Sequence, residues 1–180
     1  MKPLIFFFSA FVASSLPLLA EVDTGRPTSG TPYDRYLGPV RQVLGRSGGG
    51  ASTVDEVRSQ LRTARRFRYY YNPAEPYIPQ APEVTEARRQ GDCKAKAVWL
   101  ASKMGDRNVR YVIGKMQPSS RISHAWLLWS SGGTWLHLDP TNETDLLDAE
   151  RIVGRKLIPQ YSYGSSSTYS HPTYSELIKK

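Results

Sequence analysis

Apolar positions change their spacing along this chain, and each change predicts an element. Leu4 to Phe8 is an unbroken apolar run that continues, with polar interruptions, to Leu19. From Glu21 to Pro39 the periodicity disappears among Gly, Pro, Thr and Ser, which predicts a mobile lead-in. Val40 to Leu44 has room for one helical turn before Gly45-Arg46-Ser47-Gly48-Gly49-Gly50, which reads as a flexible linker. Val54, Val57, Leu61 and Ala64 then recur at helical spacing behind a capping box, Thr53 at the N-cap and Glu56 three residues on. That predicts a helix to about Arg66, with Arg58, Arg62, Arg65 and Arg66 mostly on its solvent side or near its C-terminus, where the dipole suits them.

Phe67 to Tyr71 is aromatic and fits a short strand, and prolines at 73, 76, 79 and 82 exclude regular helix from the segment that follows. A short helix is expected from Pro82 to about Arg89. Asp92 can cap a further helix from Cys93 to Met104, ended by Gly105. Its apolar stripe is Cys93, Ala97, Leu100, Ala101 and Met104, with Lys94, Lys96 and Lys103 mostly off it. Strand patterns run from Val109 to Met116, His124 to Trp129 and Thr134 to Asp139, the last two joined by a turn at Ser130-Ser131-Gly132-Gly133. Asp145 to Val153 reads as a short helix, Leu157 to Tyr163 as an edge strand that tolerates Pro159, and the Ser/Tyr-rich end as a weakly ordered tail. Helices in front of an antiparallel meander make an α+β domain.

Composition adds a compartment. Lys2 followed by the apolar run, with Ala20 at a plausible cleavage point, predicts a secretory signal peptide over residues 1–20, although Leu18 is larger than the residue usual two places earlier. Ser14, Ser15 and Pro17 interrupt the run, so no transmembrane segment is expected after cleavage. The chain carries a net charge of +8, and loss of Lys2 with the leader leaves about +7. Such a balance suits an anionic envelope component as a neighbour. No zinc-finger, helix-turn-helix or aromatic-basic RNA pattern is present, so nucleic-acid binding is not expected. One cysteine excludes an internal disulfide.

That cysteine, Cys93, is also the first candidate for chemistry. At the start of a helix, unpaired backbone N–H groups and the dipole favour an anion, and hence a thiolate. His124 opens a strand and Asp139 closes the next. A hairpin centred on the four-residue turn pairs positions that sum to about 263, which places His124 opposite Asp139. A thiol, an imidazole and a carboxylate then stand as nucleophile, base and the residue that orients the base. His137 competes as base, since strand alternation puts it on the face of Asp139, but Leu136 and Leu138 flank it as a wall position. His171 falls in the polar tail and reads as solvent-exposed. Cys93, His124, His137 and Asp139 could be gathered round zinc, yet no two have the close spacing usual for that ion, so no metal or other cofactor is expected.

Gly91-Asp92-Cys93-Lys94-x-Lys96-Ala97, His124-Ala125-Trp126 and Leu138-Asp139-Pro140-Thr141, in that order, resemble the bacterial transglutaminase-like superfamily, with its transglutaminase-like cysteine proteinases nearest. Gln80-Ala81-Pro82-Glu83 resembles the approach segment of relatives, and Ile158-Pro159-Gln160-Tyr161-Ser162 their closing strand. The resemblance implies a papain-like core in which the cysteine-bearing helix packs on an antiparallel sheet. It implies Cys93 as nucleophile, His124 as general base and acid, Asp139 as orienter, and acyl transfer on peptide or isopeptide amides of a protein or peptide substrate. The backbone N–H of Cys93 would give half the oxyanion hole, and Gln80 or a tyrosine between Tyr69 and Tyr77 the rest; Tyr77 and Gln90 are further groove candidates. Two departures stand out: Ala95 occupies a position often acidic in relatives, and the tryptophan common before the Pro-Glu pair is missing.

The expected organisation is therefore a leader (1–20), a flexible lead-in (21–52), a transglutaminase-like domain (53–163) and a tail (164–180). The function expected is that of an exported thiol enzyme, periplasmic or secreted. The alternative is a catalytically silent binding or scaffold domain of the cell envelope with the same fold.

Overall fold

The computed structural model describes residues 24–48, 52–152 and 156–172; the expected leader, Gly49, Gly50, Val153 and the last eight residues lie outside them. In chain order, β1 (Arg26–Pro27) leads to α1 (Gly38–Arg46) and α2 (Val54–Arg65), and then β2 (Arg68–Tyr69), α3 (Pro82–Arg88) and β3 (Gln90–Gly91) precede α4 (Cys93–Met104). There follow β4 (Val109–Lys115), β5 (His124–Ser131), β6 (Thr134–Leu138), β7 (Leu147–Asp148), α5 (Ala149–Ile152), β8 (Ile158–Tyr163) and β9 (Thr168–Ser170). Seven strands form one antiparallel sheet in the order β1-β9-β8-β4-β5-β6-β7, and β2 pairs with β3 in a separate parallel ribbon. The α+β expectation holds: α1, α2 and α4 stand on one face of an antiparallel sheet, and the single turn of α5 packs on the other.

Burial explains the layers. Val40, Leu44, Val57, Leu61 and Phe67 meet Trp99 and Leu100 of α4, which in turn lies on Tyr111, Ile113, Leu127 and Trp129 of the sheet. On the opposite face Val112, Trp126 and Leu128 pack against Ala149 and Leu157. Each such side chain taken from water stabilises the fold by about 1.5–3 kcal/mol. Because α4 sits between helices and sheet, it is buried nearly all round, Lys96 included at 1 % exposure. The single apolar stripe expected of this helix was too narrow for that sandwiched position.

Local signals place the helix ends. Thr53 and Glu56 make both bonds of the capping box, Asp92 Oδ1 accepts from Ala95 N at 3.0 Å, and Gly105 ends α4 in the left-handed region at φ 59°. Elsewhere long-range packing overrode local pattern. The stretch expected to be a mobile lead-in holds β1 and the start of α1, with Leu37 buried, and the helical turn expected over Val40 to Leu44 begins at Gly38 and runs through Gly45 to Arg46, burying Val40 and Leu44. Residues 145–152 hold β7 before the single turn of α5 instead of one helix. β8 is an interior strand between β9 and β4; Pro159 is accommodated where the β4 register shifts between Ile113 and Gly114. His171, expected in solvent, is fully buried, its Nε2 2.9 Å from Ser162 Oγ, because β9 carries the start of the tail onto the sheet.

The β5–β6 hairpin needs its own correction. Gly132 and Gly133 have φ of 58° and 83°, so they form a two-residue turn of the kind that matches strand twist, and Ser130 and Ser131 join the ladder. Leu127 therefore opposes Leu138, and opposing positions sum to 265 rather than 263. Since side chains alternate with a period of two, a shift of two keeps every residue on its expected face. Asp139 is left diagonal to His124 instead of directly opposite.

Candidate active site

Three elements converge at one end of the sheet. β5 begins with His124, β6 ends one residue before Asp139, and α4 begins with Cys93. Their diagonal placement is close enough for contact: His124 Nε2 lies 2.8 Å from Asp139 Oδ2, with both side chains buried. Cys93 is 7 % exposed and lines the same cavity as His124, close enough that its interaction with the imidazole helps hold the ring protonated. As the first residue of α4, Cys93 has a backbone N–H with no intrahelical acceptor.

Asp139 is held from the other side by residues that sequence reasoning missed. Its Oδ1 accepts from Thr141 N at 2.9 Å and Asn142 N at 3.3 Å, and Asn142 Nδ2 donates to Oδ2 at 2.8 Å. The readable signal was Asp-Pro-Thr-Asn itself, an aspartate whose side chain folds back onto the next two amides as in an Asx turn. Beneath the imidazole lies the Trp126 ring, 5.9 Å between centroids and 24° from parallel. That ring requires Gly114: a Cβ there would stand 2.2 Å from Ile158 O and 2.7 Å from the Trp126 ring.

Electrostatics separate the two candidate bases. Burial alone would push His124 down, but hydrogen bonding of the imidazolium to Asp139 and interaction with Cys93, together with their charges, outweigh it and raise the group to about 10. Burial opposes ionisation of Asp139, yet its bond and attraction to His124 hold it below the ordinary carboxylate range. His137 is buried on the same sheet face without such a partner; desolvation lowers it to about 4, Asp139 counteracting only in part, and its Nδ1 has no hydrogen-bond partner. Lys96 is lowered by burial and by Arg65, with Asp139 opposing.

The groove candidates divide. Cys93 and His124 open into a cavity of about 240 Å³ whose walls include Tyr33, Tyr69, Tyr71, Tyr77 and Ile122. Tyr77 stacks on Tyr36 with ring centroids 5.0 Å apart. Tyr69 reaches the cavity because β2 pairs with β3 immediately before α4; burial, then the charges of Cys93 and Asp92, push its hydroxyl up to about 12. Gln80 does not line this cavity: its Nε2 donates to Thr85 Oγ1 at 3.0 Å and Gln90 O at 3.2 Å. Gln90 also lies outside, its Oε1 accepting from Arg68 Nη2 at 2.6 Å. Among the described residues no group of three or more His, Cys, Asp or Glu is arranged to hold a metal ion, and no helix is long and apolar enough to cross a membrane.

Among solved structures, the chain is similar to LapG of Legionella pneumophila at 16% identity and a TM-score of 0.54 over 78% of this chain and 94% of that one. EGTA-treated LapG matches at 17% identity and a TM-score of 0.55 over 78% and 95% of the two chains. The calcium-bound form gives 17% and 0.54 over 78% and 96%. No family model and no curated protein matches the sequence. The fold is thus transglutaminase-like, with the cysteine-bearing helix on an antiparallel sheet.

Proposed function

We propose that this chain is an exported thiol-dependent acyl-transfer enzyme acting on peptide or isopeptide amide bonds, with Cys93 as nucleophile, His124 as base and acid, and Asp139 as the residue that orients His124. The observation that carries the reading is that Cys93 and His124 line one cavity while the imidazole is hydrogen-bonded to the buried Asp139 behind it. Its place at the start of α4 fits the reaction. The sulfur attacks the amide carbon, and the electron pair of the carbonyl moves onto oxygen beside the Cys93 N–H. When that pair returns, the C–N bond breaks and His124 gives its proton to the departing amine. Water, deprotonated by His124, or a second amine then attacks the thioester and releases the thiolate.

The Tyr69 hydroxyl supplies the second oxyanion donor in this reading: it lines the same cavity, and its raised pKa keeps it protonated and able to donate. Gln80 is poorly placed for that role, since its amide is engaged on the α3 loop. Export rests on the leader-like sequence of residues 1–20. The test is alkylation of Cys93 by iodoacetamide at about pH 6, where an unassisted thiol is almost wholly protonated. Cys93 labels faster than a small free thiol, and His124→Ala removes the difference. Labelling no faster than the free thiol would favour the silent scaffold.

A further inference from the structure

Outside the reacting groups, the cavity has an uneven charge. Its lining carries two cations, Lys94 and Arg121, and no carboxylate. Lys94 is already engaged: its ammonium pairs with Asp92 and lies 5.4 Å from the centre of the Tyr71 ring. Arg121 is exposed and makes no ion pair or hydrogen bond with any described residue. It sits three residues before His124, on the loop between β4 and β5, and its neighbour Ile122 is 77 % exposed. Across the opening stand Tyr69 and Tyr77, each about half exposed. Flat aromatic rings and a bare isoleucine beside an unpaired guanidinium form a surface with apolar and anionic demands together.

We infer that Arg121 is a specificity-determining residue: the cavity takes an extended polypeptide segment with a carboxylate close to the attacked amide, the carboxylate meeting Arg121 and a neighbouring apolar side chain lying against the tyrosines. This inference rests on the acyl-transfer reading of the same site. The chemistry is that of guanidinium and carboxylate, whose planar faces match in a two-pronged hydrogen bond. The carboxylate comes either from an Asp or Glu side chain or from a free C-terminus.

Chloroacetyl peptides separate these sources, since the Cys93 thiolate displaces chloride to form a stable C–S bond that intact mass spectrometry counts. One peptide carries Glu and an amidated C-terminus, a second Gln and a free C-terminal carboxylate, a third Gln and an amidated C-terminus. In the native chain at least one carboxylate peptide labels roughly three- to tenfold faster than the neutral one, as a partly shielded charge pair allows, and the advantage shrinks with salt. In Arg121→Gln the ratio falls to about one, and in Arg121→Glu it drops below that. Equal labelling by all three peptides in the native chain, negligible labelling included, would overturn the inference, as would an advantage retained by Arg121→Gln. Iodoacetamide labelling of the native chain tells the two failures apart. Fast iodoacetamide labelling without peptide preference sinks only the role of Arg121, whereas slow iodoacetamide labelling sinks the enzyme reading beneath it.

Discussion

At the floor of the cavity Cys93 and His124 are each 7 % exposed, with Asp139 behind the imidazole at 2 %, whereas at its opening Tyr69, Tyr71, Tyr77 and Ile122 range from 47 % to 77 %. His124 is bonded to Asp139 and Asp139 to backbone amides, and each of the three residues sits at or next to the end of a regular element. The opening is assembled from segments far apart in the chain: Tyr33 precedes α1, Tyr69 to Tyr77 lead to α3, and Arg121 to Ser123 precede β5. Low exposure lets a hydrogen bond or charge act with little screening, so single changes at the floor carry large effects. At the opening each contact is shared with solvent, and only the sum selects a ligand.

The sharpest way to break this contrast is at the thiol and the acid. Cys93→Ala abolishes amide cleavage, and Asp139→Asn lowers kcat about 10²–10⁴-fold by releasing the imidazole, both read with a peptide substrate. A loss at Asp139→Asn below tenfold would mean that the floor is not coupled. The same coupling gives an alkaline limit: His124, raised to about 10, loses the proton it must donate, so turnover falls as pH rises through that value.

Next comes the neighbouring histidine, where burial acts without a partner. His137 is lowered to about 4 from its ordinary 6.5, so its folded form resists a proton that the unfolded chain accepts. The stability it contributes is therefore whole above pH 6.5 and is lost as pH falls through 4, a change of up to about 3 kcal/mol. Urea melts over that range should show a shallower acid loss in His137→Leu than in the native chain; parallel curves would contradict it. His124 has the opposite sign, its contribution present below 6.5 and lost on the way up through about 10.

Smaller effects test where floor ends and opening begins. Tyr69→Phe removes a hydroxyl without removing the ring, and is expected to lower kcat roughly 10- to 100-fold with KM little changed. A change in KM alone would return Tyr69 to the opening. Tyr77→Ala, by contrast, is expected to raise KM a few-fold, about what losing one exposed aromatic contact costs, with kcat retained.

The same division governs what could be read from the sequence. Caps, the α4 boundaries and the alternation of β5 and β6 are local signals, so Cys93 and His124 fall at the element starts expected of them and Asp139 one residue past the end of β6 rather than inside it. The register was misjudged by two because Ser130 and Ser131 have turn-compatible side chains, while only the positive φ of the two glycines reveals how tight the turn is. The opening was barely legible. Gln80 and Tyr77 both lie in one proline-punctuated stretch, and nothing local says that one points at Thr85 and the other at Tyr36. Nor does anything local say that β1 pairs with β9 across almost the whole described chain, or that His171 is thereby buried.

The turn at Gly132-Gly133 has a consequence for length. It is exposed, and at roughly 3.4 Å per residue the eight residues of β5 put it about 25 Å from the imidazole. Surface turns ordinarily absorb insertions without harm. Here one added residue that re-zips the ladder would carry Asp139 to the helical face of the sheet, and two would return its face but slide it a pair of positions away from His124. A loop that touches no reacting atom thus works as the site's measuring rod, and its count of residues matters more than their identity anywhere along it except where the backbone must turn left-handed.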